Sequence, residues 1–105
     1  ERKVLQEIMR IRYTKEAEES LIEIAEFLYY RWTEKEIQDL YSELETVLEN
    51  VSQSLVIYEK FSENIFQALI GNRNVKLYFT VDSDEILVLF FLNCRQNPDR
   101  LDFLK

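Results

Sequence analysis

Hydrophobic and polar positions change period along this chain, and each change marks an element. From Met9 to Thr14, the apolar residues Met9, Ile11 and Tyr13 alternate with Arg10, Arg12 and Thr14, the period of a strand with one apolar face. The spacing then lengthens, and Leu21, Ile24, Ala25, Leu28, Tyr29 and Trp32 fall on one side of a helix. Thr14 is placed to cap that helix, and Glu16, Glu18 and Glu19 put acids where the helix dipole favours them. Thr33-Glu34-Lys35-Glu36 has the form of a capping box, so the first helix stops near Trp32 and a second begins at Glu34. Ile37, Leu40, Tyr41, Leu44, Val47, Leu48 and Val51 carry one apolar face along this second helix. Two amphipathic helices joined so closely form an antiparallel hairpin.

The second half returns to period two. Ser52–Asn64 is a connection with scattered apolar residues, followed by a strand over Ile65–Ile70. Gly71-Asn72-Arg73-Asn74 is a turn by composition. Val75, Leu77, Phe79 and Val81 then alternate with Lys76, Tyr78 and Thr80, giving one core face and one face with an amine, a phenol and a hydroxyl. Asp82-Ser83-Asp84 closes a hairpin, and Ile86–Leu92 is apolar throughout, as in a central strand covered on both faces. Asn97 and Pro98 suit the opening of a short last helix, Asp99–Leu104. The predicted order is β-α-α-β-β-β with a short C-terminal helix. This is an α+β domain over 9–105, with a helical hairpin packed on an antiparallel sheet. Residues 1–8 form a charged lead-in, either helical or the remnant of something upstream.

Composition agrees with a packed domain: 47% of the 105 residues are hydrophobic, and one Gly and one Pro leave little room for irregular loops. Charge adds an asymmetry. Residues 1–54 carry 13 acids against 7 bases, whereas 55–105 carry 7 against 6, so the net −7 lies almost entirely on the helical half. Solvated helix faces account for this, although they would also attract basic segments of a partner. The balance argues against nonspecific binding to a polyanion. The chain has no His and one Cys, which excludes His-based catalysis, an internal disulfide and a Cys-cluster metal site. No cofactor and no metal are expected. The longest apolar run, Ile86–Leu92, falls far short of the roughly 20 residues that span a membrane, and a cytoplasmic location is the expectation.

Candidate chemistry gathers where the last strand ends. Lys76 and Arg95 are suited to holding a phosphate, and Arg95 has a structural alternative in pairing with Asp99 or Asp102. Tyr78, Arg73 and Gln96 are binding candidates, with packing as the alternative for Tyr78 and plain solvent exposure for Arg73. Cys94 reads as a small buried or half-buried side chain, and Tyr29 and Tyr41 as core residues, with Tyr30 the most exposed of the aromatic group.

Four stretches in order give this pattern a family likeness. They are Ile11-Arg12-Tyr13-Thr14-Lys15-Glu16-Ala17, Leu28 followed by Trp32, Val75-Lys76-Leu77-Tyr78-Phe79-Thr80-Val81, and Asn93-Cys94-Arg95-Gln96-Asn97-Pro98. Over roughly residues 9–102 the chain resembles the RelE/ParE superfamily of type II toxin–antitoxin toxins, which includes the plasmid stabilisation proteins. The third stretch is like the family's "hRhhYxV" strand (h apolar), and the fourth is like the "RQNP" after its last strand. The resemblance implies a bacterial growth inhibitor, neutralised by a cognate antitoxin and forming a homodimer in some settings. In the RelE branch such a toxin cuts mRNA on the translating ribosome. The ribose 2′-OH is the nucleophile, and basic residues and a Tyr move protons and hold phosphate. In the ParE branch the target is DNA gyrase. Lys76 and Arg95 match two basic positions of the nuclease set. Two further lysines of that set fall near Gln67 and Leu69, and its late Tyr is missing, since 96–105 contains none. The match is therefore closer to a ParE-like or catalytically divergent toxin, with a ribosome-dependent mRNA endonuclease using Lys76 and Arg95 as the alternative. A third reading is a non-toxic interaction module with the same fold.

Overall fold

A computed structural model describes residues 9–30, 33–54, 57–71, 74–94, 101 and 103–104. Its elements are β1 (Arg10–Tyr13), α1 (Lys15–Tyr29), α2 (Glu34–Ser52), β2 (Glu59–Lys60), β3 (Phe66–Ile70), β4 (Val75–Val81) and β5 (Glu85–Asn93). The expected lead-in over 1–8, Trp32, and the Asn97–Pro98 helix start lie outside the described residues. Leu101, Phe103 and Leu104, within the expected short last helix, take 3₁₀-helical conformation.

The five strands form one sheet in the order β1-β5-β4-β3-β2. The α+β architecture is as expected, with two differences at the edges of the sheet. β1 joins β5 in parallel, pairing Arg10 with Glu85 through Tyr13 with Val88, so the sheet is mixed rather than antiparallel. The reason is the path of the chain: β1 and β5 are far apart in sequence, and no hairpin constrains their relative direction. The other edge gains β2, two residues paired with Gln67 and Phe66, from the connection over Ser52–Asn64.

Local sequence explains both helix starts. The Thr14 hydroxyl accepts from the Ala17 amide at 3.0 Å. At α2 the box closes in both directions: Glu36 N–H donates to Thr33 Oγ1 at 3.2 Å and Thr33 N–H donates to Glu36 Oε1 at 2.8 Å. Each such cap contributes on the order of 1 kcal/mol. α1 ends at Tyr29, a little short of the expected Trp32. At the β3–β4 turn, Gly71 has φ 62° and Asn74 N–H returns to its carbonyl at 3.1 Å. The left-handed conformation suits a residue without Cβ.

The main core lies between helices and sheet. α1 supplies Ala17 and Ile24, α2 supplies Leu40, Leu44, Val47 and Leu48, and the strands supply Ala68, Ile70, Val75, Leu77, Phe79, Ile86, Val88 and Phe91. Fully burying each large side chain among these stabilises the fold by roughly 1.5–3 kcal/mol.

β5 changes parity midway. Phe79 pairs with Val88 but Tyr78 pairs with Phe90, leaving Leu89 as the extra residue of a β-bulge. Ile86 and Val88 therefore face the helices before it and Phe91 after it, while Phe90 and Leu92 turn to the opposite face. There they meet Tyr78 and Leu101, with Phe61, Ile65, Leu89 and Leu104 packed around them. The face expected to be polar thus carries a second, smaller core, which positions the candidate site.

Candidate functional site

Lys76 and Tyr78 stand two residues apart on β4 and share the face away from the helices. Lys76 lies opposite Leu92 on β5 and Leu69 on β3, and Tyr78 lies opposite Phe90 and Gln67. The two side chains differ sharply in environment. Tyr78 is 1% exposed, with its ring edge-on to Phe61 at 5.0 Å between centroids. It is a packing residue of the second core, because a phenol ring is mostly apolar surface and the second core offers it cover. Its pKa is raised, first by that burial and then by the negative charge that ionised Cys94 would place nearby. Tyr78 is therefore held as the neutral phenol at ordinary pH.

Cys94 is exposed rather than buried or half-buried. Its amide donates to the Asn74 carbonyl at 2.9 Å, which ties the end of β5 to the β3–β4 turn. The tie brings the thiol close to Tyr78, a neighbour that the spacing of the two residues in sequence gives no sign of. Arg95, Gln96 and Arg73 lie outside the described residues.

Lys76 is half-exposed and forms no ion pair among the described residues. It borders an open hollow of about 320 Å³ with Tyr58, Glu59, Gln67, Ala68 and Leu69. The cross-strand register explains the composition of this hollow. The two β3 positions on the same face as Lys76 are Gln67 and Leu69, a neutral carboxamide and an isobutyl group. Glu59, opposite Gln67 on β2, adds a carboxylate that the sequence reading did not single out. The described lining therefore offers one ammonium and one carboxylate and no net charge to hold a phosphate. Among the described residues, no group of His, Cys, Asp and Glu side chains is placed to hold a metal ion. No helix among the described residues is long and apolar enough to cross a membrane.

Elsewhere, Arg10 and Arg12 converge on Glu85 at 3.7 and 3.0 Å, across the β1–β5 register. Both guanidinium groups are largely in water, so these pairs contribute little to stability. Tyr29 and Tyr41, expected in the core, are exposed at 70% and 40%, and Tyr30 is exposed at 86%. They sit just off the buried stripes, at angles where a long side chain reaches solvent.

No family model and no curated protein matches this sequence. Solved structures do resemble it. One from the chromosomal ParDE TA system of P. aeruginosa superposes with a TM-score of 0.65 at 16% identity, covering 83% of this chain and 97% of that one. The YoeB dimer of Staphylococcus aureus superposes more loosely, at a TM-score of 0.48 and 17% identity over 78% of this chain and 92% of that one. The two-helix layer, the five-stranded mixed sheet and the P. aeruginosa superposition together give this chain the α+β fold of that ParDE-system structure.

Proposed function

We propose that this chain, as a single domain over 9–105, is the toxin of a type II toxin–antitoxin pair of the ParE-like, non-nucleolytic kind. It acts in the cytoplasm and is neutralised by a cognate antitoxin. The observation that carries the non-nucleolytic part is the lining around Lys76. Gln67 and Leu69 stand on the β3 face beside it and Glu59 completes the hollow. A ribonuclease without His needs several cations to neutralise a scissile phosphate and a side chain to move protons. With Tyr78 buried and held neutral, the described residues leave Lys76 without such helpers.

The test is expression of the chain from a tightly repressed promoter without any antitoxin. Growth arrest, intact mRNA by primer extension and stabilised gyrase–DNA cleavage complexes are expected. Ribosome-dependent mRNA cuts abolished by Arg95→Ala would overturn the non-nucleolytic reading in favour of a RelE-like enzyme using Lys76 and Arg95. Unhindered growth at high expression would leave an interaction module in place of a toxin.

A further inference from the structure

An apolar hollow of about 200 Å³ opens between the C-terminal end of α2 and strands β3 and β4, apart from the Lys76 site. Val51 of α2, Phe66 of β3, and Phe79 and Val81 of β4 line it. Phe79 is 1% exposed, and two other lining rings meet its ring. Phe66 lies nearly parallel to it, at 5.8 Å between centroids and 25° between planes. Tyr58 stands edge-on to it, at 6.1 Å and 80°. The three rings thus form an aromatic corner with one side open.

Two apolar residues stand at the mouth, Ile57 at 95% exposed and Val81 at 37%. An isoleucine so fully in water beside an open apolar hollow is surface that a ligand gains by covering. No described lining residue is charged, and the polar side-chain atoms are those of Ser54 and Tyr58. The Tyr58 oxygen accepts a long hydrogen bond from Asn50 Nδ2 at 3.4 Å, so its own O–H stays available as a donor.

We propose that this hollow binds a small, flat, uncharged aromatic molecule of one or two fused rings. Size sets the class, because an apolar cavity of about 150 Å³ accepts a benzene ring, whereas drug-sized ligands take roughly 300–1,000 Å³. Shape agrees, since a fourth ring can stack on one wall and meet another edge-on at the usual centroid spacings of about 4.5–7 Å. A charged ligand does not fit, because the lining offers no opposite charge to replace its lost hydration. A single polar atom on the ring can take the Tyr58 O–H or the Ser54 hydroxyl. The proposal rests on the corner and its mouth alone, and holds whether or not the chain is a toxin.

The probe is indole, titrated into the isotope-labelled full chain. Saturable binding is expected, with shifts centred on Val51, Ile57, Phe66 and Val81. The thermal midpoint should rise with indole concentration, because the site exists only in the folded chain. Ile57→Asp and Val81→Thr should each weaken binding about threefold or more, as each removes apolar surface from the mouth. Tyr30→Ala, on α1, should leave it unchanged, and unaltered circular dichroism would certify the fold of all three variants. Lack of saturation up to the solubility of indole would overturn the proposal. So would shifts centred on another surface, or equal affinity for free tryptophan, which carries the same rings with two charges. Binding of a leucine-bearing peptide at the hollow where indole fails would also overturn it, and assign the mouth to a partner's side chain.

Discussion

The Ser20 hydroxyl on α1 accepts a hydrogen bond from the Phe91 amide on β5 at 3.0 Å, while donating to the Ala17 carbonyl at 2.9 Å. β1 stops at the level of Val88, and beyond it no strand among the described residues lies beside the outer edge of β5. α1 takes over that role: Thr14 N–H donates to the Val88 carbonyl at 3.0 Å, Thr14 Oγ1 donates to the Leu89 carbonyl at 3.1 Å, and Ser20 serves Phe91. The Thr14 cap and the Ser20 side chain thus complete the ladder that the short strand leaves open.

Ser20→Ala should therefore lower stability by about 1–3 kcal/mol, because it leaves a buried N–H without a partner. Chemical denaturation would register this as a lower midpoint with unchanged slope. An unshifted midpoint would mean that another group, or water, takes the Phe91 amide.

The two perturbed phenols set an alkaline limit. Both Tyr13 and Tyr78 have pKa values raised above the ordinary tyrosine value of about 10, chiefly by burial. The unfolded chain then loses these protons first, so their contribution is fully present below that ordinary value. It declines as pH rises through the raised folded values. Unfolding midpoints should fall across that alkaline range, and Tyr78→Phe should flatten the fall. Equal slopes in wild type and variant would remove Tyr78 from the account.

Lys76→Met tests the chemistry of the hollow directly. Lys76 is half-exposed and unpaired among the described residues, so stability should change by less than about 0.5 kcal/mol. Growth arrest on expression should persist, since the proposed activity needs no phosphate to be held there. Loss of arrest in a normally folded variant would point back to Lys76 as a working cation.

The bulge at Leu89 makes a paired prediction. Phe91→Ala removes a fully buried ring and should cost about 3–5 kcal/mol, whereas Leu89→Ala, half-buried, should cost under about 2 kcal/mol. Comparable costs at the two positions would contradict the change of parity.

That parity change also shows where the sequence stops being legible. Alternation from Ile86 would send Phe90 and Leu92 toward the helices, and nothing in an all-apolar run reveals the extra residue. Lys76, Tyr78 and Thr80 read as a polar face for a related reason. The cover over Tyr78 comes from Phe61, Ile65, Leu101 and Leu104, distant in sequence and undistinguished by local pattern. Tyr29 and Tyr41 lie close to the apolar stripe of each helix, which predicts a core position, and a small rotation is enough to expose them. What could be read ahead were the features fixed within a few residues, namely both helix caps, the Gly71 turn and the alternation of β4. Pairings set by distant chain segments, such as the parallel β1–β5 ladder, could not. For the candidate site, the sequence placed Lys76 and Tyr78 on one face, but Glu59 and Cys94 joined them only through the sheet.

The parallel pairing of β1 with β5 governs the order in which the molecule can assemble. As the chain is synthesised, β1 and both helices emerge before their sheet exists, and the main core cannot close until the last strand arrives. Pairings this far apart in sequence carry a large loop-closure cost and slow the search for the native sheet. Until then the apolar sides of α1 and α2 remain open to any helix that can pack on them. A nascent chain is thus most receptive to a chaperoning partner during the interval before residues 85–93 leave the ribosome.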